Sequence, residues 1–218
     1  MPSLPPPPIE KPGRIKVYHS LASYESTNPR EISIEEGDII YVKEEPNDAE
    51  YYTAKCGTKT GKIPKNFVNS DENMSSVEFP LHEAAKRGNL PFLKECLQNQ
   101  VSVNSLDKSG STALYWACHA GHVDIVKELL STPNVTITSQ NKMGDTPLHA
   151  ASWKGHLNVI QILIESGANV HARNKDGKTA ADMAGNPEIG ALLKLTMRNV
   201  ADPGSIDDYN SSEEEDAD

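Results

Sequence analysis

No apolar run in the 218-residue chain exceeds a few residues. A bilayer-spanning helix needs about twenty, so no membrane insertion is expected. Residues 1–20 hold a proline run, not an apolar segment with a cleavage site, and no secretory signal is expected. Cysteine is scarce: Cys56, Cys96 and Cys118 are an odd count with no CxxC pair. That excludes a disulfide framework and a sequence-local zinc site, and fits reduced thiols in the cytosol. Basic residues are missing from 199–218, which hold eight acids. The net charge of −10 less −8 leaves −2 for everything before them. A near-neutral body with an acidic tail argues against nucleic acid as a partner, since phosphate binding needs clustered Lys and Arg.

What the chain does have is internal repetition. GDTPLHAASWKGH (144–156) aligns with GSTALYWACHAGH (110–122) after a shift of 34 residues, and with PLHEAAKRGN (80–89) after 33 more. A fainter copy, GKTAADMAGN (177–186), follows. Thr112, Thr146 and Thr179 each stand where a hydroxyl can cap free backbone N–H groups of a helix. Pro147 suits a first helical position. Gly88, Gly121 and Gly155 suit the left-handed residue that ends one. A second helix then carries apolar residues three and four apart: Ile125, Val126, Leu129 and Leu130, matched by Val159, Ile160, Leu163 and Ile164.

A period of 33–34 with this pattern resembles the ankyrin repeat over residues 77–197. The resemblance implies that His82 and His149 bond backbone to hold a turn, and that His122 and His156 are structural too. Catalysis or metal binding by these histidines is therefore not expected, the more so because Tyr115 replaces one of them. Repeats are read at about 77–106, 110–140 and 144–173, followed by a degenerate cap at 177–197 whose second helix is reduced to Ile189, Leu192, Leu193 and Leu195. The hairpin tips DKSG, NKMG and NKDG read as type I turns that bring Lys108, Lys142 and Lys175 into a row. Those lysines serve either solubility or binding. Trp116, Trp153 and Lys154 fall on the first helices and are candidates for binding partners at the ankyrin concave face. The resemblance puts Trp153 and Lys154 at variable positions facing the concave groove, where a tryptophan reads either as packing or as a binding anchor.

Residues 14–70 have a different rhythm. Strands are expected at IKVYH (15–19), DIIYVKE (38–44), YYTAK (51–55), TGKIP (60–64) and FVN (67–69). SLASY, EISIEEGDII and GKIPKNFV resemble three motifs of the SH3 domain. That resemblance implies a groove for polyproline II ligands, with Tyr24, Tyr51, Pro64, Asn66 and Phe67 in its walls and Glu31 facing a ligand base. Tyr51 stands where the family usually has Trp. Ala22 and Lys62 replace further groove residues, so the groove is either weak or vestigial.

The fold class is thus multidomain: a small all-β SH3 barrel, then an all-α ankyrin-repeat solenoid and a disordered acidic tail. A proline-rich leader (1–13) precedes the barrel, a linker (71–76) joins the domains, and the tail spans 198–218. The leader reads as a polyproline II ligand or as a stiff spacer. Ser211 and Ser212 each have an acid three residues on, which suits an acid-directed kinase. This order of parts resembles the osteoclast-stimulating factor 1 family. The resemblance implies a monomeric cytoplasmic adaptor without enzymatic activity or cofactors. Its partners would carry proline-rich segments, with Src-type kinase pathways among them, and its role would be to promote osteoclast formation and bone resorption indirectly. The rivals are an ankyrin-only interaction protein with a vestigial groove, and a hydrolase or redox enzyme using the histidines or Cys118.

Overall fold

The computed structural model describes residues 15–43 and 48–200. The proline-rich leader and residues 201–218 of the acidic tail, Ser211 and Ser212 among them, lie outside the described residues, while 198–199, read as tail, end the last helix. The chain divides into two compact units, residues 1–80 with Glu95–Ser102, and residues 81–94 with 103–218.

The first unit is an SH3-like sheet with order β4-β3-β2-β1-β5, every neighbouring pair antiparallel. Its strands are β1 (Ile15–Ser20), β2 (Ile39–Lys43), β3 (Tyr51–Cys56), β4 (Lys59–Pro64) and β5 (Met74–Val77). Inward-facing Ile32, Ile34, Ile40, Val42, Ala54, Ile63, Val68 and Met74 make the core. Tyr41 is buried on the other face of β2, its hydroxyl 3.8 Å from Cys96 Sγ within the same unit.

The fifth strand is not where the sequence pattern puts it. Phe67 and Val68 belong to a single helical turn, α1 (Lys65–Val68), and Asn69 is its C-cap. Pro64 has φ −61° and no N–H to give a ladder, so the strand stops there and the chain coils. Asn73 and Met74 then donate to Ser70 O, turning the chain back. Residues read as linker instead supply β5, which pairs Val17 with Val77 and Ser20 with Met74.

The second unit stacks helix pairs. They are α2 (Pro80–Arg87, all but Pro80 in this unit) with the Leu90–Lys94 part of α3 (Leu90–Gln98, whose last four residues belong to the first unit), α4 (Ala113–Ala120) with α5 (Val123–Ser131), and α6 (Pro147–Lys154) with α7 (Leu157–Glu165), followed by α8 (Pro187–Asn199). Thr112 Oγ1 accepts from Tyr115 N–H, and Thr146 Oγ1 accepts from His149 N–H, the caps the repeat pattern implies. Gly88, Gly121 and Gly155 all have φ between +70° and +80°. Buried Ala84, Ala85, Ala113, Ala117, Ala150, Ala151 and Ser152 let first helices approach closely.

The fourth copy departs from expectation. Its second helix is not reduced: α8 runs thirteen residues and buries Ile189, Gly190 and Leu193. It is the first helix that shrinks to a turn, although Thr179 still caps Asp182 N–H. Gly185 N–H bonds Ser152 O at 3.1 Å, and a Cβ there would lie 2.5 Å from Trp153 O. That close approach bends the chain away before a full helix can form.

Candidate functional site

In the sheet, a groove of about 730 Å³ is lined by Tyr24, Tyr51, Pro64, Asn66 and Phe67, together with Ala49, Glu50, Lys65 and Asn73. The Tyr24 and Phe67 rings meet at a centroid distance of 5.0 Å and a tilt of 45°. Five of the six groove residues named from sequence therefore share one wall set. Glu31 does not line the groove but joins its edge. Its carboxylate accepts from the Tyr24 hydroxyl, from Ser26 Oγ at 2.7 Å and from Asn28 Nδ2 at 3.0 Å. The Tyr24 hydroxyl, then Ser26, hold the Glu31 carboxyl below its ordinary range. The same bond raises Tyr24, and the Glu31 charge raises Tyr51.

Lys62 and Ala22 are not among the lining residues. Lys62 Nζ lies 3.1 Å from Asp48 Oδ2, while Asp48 Oδ1 accepts from Tyr51 N–H at 2.9 Å. Tyr51 N–H, then the Lys62 ammonium, keep the Asp48 carboxyl below its usual range. Asp48 thus ties Lys62 to the backbone that positions Tyr51. Lys65 Nζ bonds Asp48 O at 2.5 Å and sits 4.9 Å over the Tyr52 ring. The sequence reading missed Ala49, Glu50, Lys65 and Asn73. Lys65 and Glu50 adjoin named residues, and that adjacency was the available signal. Asn73 carried no signal, because it reaches the groove only through the turn before β5.

In the second unit, histidines stitch one repeat to the next. His82 Nε2 lies 2.9 Å from Ser111 O and His149 Nε2 3.1 Å from Lys178 O. His122 Nε2 and His156 Nε2 each lie 3.2 Å from a carbonyl of the preceding repeat, Lys86 and His119. A carbonyl only accepts, so each of these nitrogens carries a proton and donates. Burial lowers the pKa of His82 and of His149, which favours the neutral ring. Burial likewise pushes the Cys118 thiol up, away from the thiolate a nucleophile needs.

The first-helix face carries aromatics. Trp116 is half-buried, with its Nε1–H donating to Asp107 Oδ2 at 2.7 Å and Lys86 Nζ 4.1 Å from its ring centroid. Trp153 is 52% exposed under Lys154 Nζ, at 4.2 Å, with the His119 ring 5.7 Å away. Burial opposes ionisation of Asp107, but donors from Ser109, Ser111 and Trp116 outweigh it and lower its pKa to about 2. The first tryptophan is therefore a packed strut and the second an exposed ring. The tips are tight turns: Gly110, Gly144 and Gly177 N–H bond Asp107, Asn141 and Asn174 O, each at 2.9 Å. Lys108, Lys142 and Lys175 are exposed on them.

No helix among the described residues is long and apolar enough to cross a membrane. The family model for ankyrin repeats in three copies matches residues 81–174, and that for a variant SH3 domain matches residues 20–71. Osteoclast-stimulating factor 1 of Bos taurus is 51% identical over 216 residues, covering 98% of this chain and 100% of the relative. The Xenopus laevis protein of that name is 50% identical over the same shares. The Danio rerio protein is 50% identical over 198 residues, 91% of each chain. Two protein-interaction modules in one chain make it an adaptor between proteins. With half its residues identical to such relatives along nearly their whole length, the chain belongs to the osteoclast-stimulating factor 1 family.

Proposed function

We propose that this protein is a non-enzymatic cytoplasmic adaptor that binds proline-rich segments in the Tyr24–Tyr51–Pro64–Asn66–Phe67 groove. Other proteins dock on the concave first-helix face of the ankyrin unit through Trp153 and Lys154, with Trp116 as the packed support of that face. Tilted Tyr24 and Phe67 rings 5.0 Å apart, beside a carboxylate held in its charged form, carry the groove reading. A polyproline II ligand packs prolines between such rings at little entropic cost, and a ligand Arg or Lys answers Glu31. The ligands assigned to it are segments of Src-type kinase pathway proteins. The name of the relatives, osteoclast-stimulating factor, extends the proposal to stimulation of osteoclasts. The proposed role is indirect promotion of osteoclast formation and bone resorption.

The test titrates proline-rich peptides, with and without a basic residue, into the isotope-labelled full chain. Expected are shifts at Tyr24, Tyr51, Asn66 and Phe67, and at least tenfold weaker binding for Phe67→Ala. Silence at these residues across a peptide array, with partner binding lost only on Trp153→Ala, establishes the ankyrin-only alternative.

A further inference from the structure

The hairpin tips of the ankyrin unit are bonded to one another. Lys142 N–H donates to Ser109 O and Lys175 N–H to Met143 O, both at 3.0 Å. Three tips therefore form one continuous ladder, with Lys108, Lys142 and Lys175 at the same turn position in each. Two of the three acids of these hairpins are engaged within them. Asp107 Oδ1 accepts from Ser109 N–H at 2.8 Å and Ser111 N–H at 3.0 Å, and Asp145 Oδ1 accepts from Asn174 Nδ2 at 2.8 Å. The exposed charges on the hairpins are then Lys108, Lys142, Arg173, Lys175 and Lys178 against Asp176. Neither Lys142 nor Lys175 forms an ion pair among the described residues. Leu106 at 53% and Met143 at 60% exposure add apolar area to this basic strip.

A strip that is basic and apolar together fits an acidic segment bearing a few apolar side chains. The chain supplies one in residues 201–218, which hold eight acids, no base, and both Ile206 and Tyr209. Val200, the residue before that segment, is held next to the ladder. His171 Nε2 lies 3.0 Å from Val200 O, and His171 is four residues from Lys175. Four extended residues reach at most about 14 Å. A random-coil chain of eighteen residues has a root-mean-square span on the order of 25 Å. We propose that the tip ladder is a docking surface for acidic segments, occupied in the free protein by its own residues 201–218. An acidic partner must displace them. Pairs this exposed are individually weak, so the contact is rapid and sensitive to salt.

The experiment follows amide shifts of the full chain at low and high salt, beside a Lys142→Glu/Lys175→Glu variant. Expected are shifts at residues 108, 142–143 and 175, and across 206–216, that disappear at high salt and in the variant. A chain ended after Val200 loses the tip shifts, and a synthetic 201–218 peptide restores them. Tip amides unchanged by truncation at low salt overturn the proposal. So do shifts that grow with protein concentration, since those put the tail on a second copy. Neither result depends on the SH3-like groove.

Discussion

The imidazole of His156 stands over Gly121, the residue that ends the first helix of the preceding repeat. A Cβ on Gly121 would lie 2.6 Å from the ring, and its φ of +78° already disfavours a side chain. His122 stands over Gly88 in the same way, at 2.8 Å. Gly155 has φ +80° but nothing within 4 Å, because the fourth copy places no histidine above it. The Gly-His pair of the repeat is thus a contact between repeats, Gly88 and Gly121 each receiving the next repeat's histidine.

Those three glycines separate two costs. Gly155→Ala should cost about 1 kcal/mol, the penalty for a left-handed backbone alone. Gly121→Ala should cost more, by about 1–3 kcal/mol for the added overlap. Adding His156→Ala should recover part of it. Urea unfolding of the four proteins decides this, and equal losses for the two glycines would refute the steric account.

His149 should make stability depend on pH. Its Nδ1 accepts from Thr146 N–H at 3.2 Å while Nε2–H donates to Lys178 O, so the folded protein uses the neutral ring. Burial lowers its pKa, and lowers that of His82. The unfolded chain therefore binds more protons in acid. The stabilisation is complete above the unfolded value of about 6.5 and is lost as pH falls below it. His149→Ala should lose about 1–3 kcal/mol at pH 7.5, since it leaves buried groups unpaired. It should also flatten the fall in melting temperature between pH 7 and pH 5.

A chelator should leave the melting temperature unchanged, since these histidines spend their nitrogens on backbone carbonyls. Metal bound stoichiometrically after purification without an affinity tag would contradict that.

Glu31→Gln should abolish any preference of the groove for proline peptides bearing Arg or Lys while leaving affinity for neutral ones. Tyr24 and Ser26 hold the Glu31 carboxyl low, so in the unaltered protein the preference should persist as pH falls through the ordinary glutamate value of 4.5 and fade only below it. Tyr24→Phe should move that loss to higher pH. Peptide titrations between pH 3.5 and 7 read both effects.

The two tryptophans should behave oppositely. Trp116→Phe removes the indole donor to Asp107 and should destabilise the repeats by about 1–2 kcal/mol. Trp153→Ala removes an exposed ring and should leave the melting temperature within about 2 °C while weakening a partner of the first-helix face. Calorimetry on both variants separates strut from anchor.

The helices of the repeats, their threonine caps and their glycine ends were legible in the sequence because each depends on residues within one repeat. A hydroxyl three residues before its donor, or a glycine after a helical run, works through local geometry that composition reveals. The same holds for β1 to β4 and for the IPKNF motif that puts Pro64, Asn66 and Phe67 into one wall. Only tertiary structure decided the rest. FVN reads as strand by propensity, yet Pro64 withholds a donor and the sheet takes its fifth strand from Met74–Val77, where β1 offers an unpaired edge. Lys62 reads as a lost groove wall, but Asp48 draws its ammonium aside. Trp116 and Trp153 are the same residue type on successive first helices, yet at different repeat positions, Trp116 aligning with Ala150 and Trp153 with His119; one finds Asp107 within 2.7 Å while the other stays 52% exposed. Local rules name the elements. Which partner is within reach decides what each side chain does, and that distance exists only once the chain has folded.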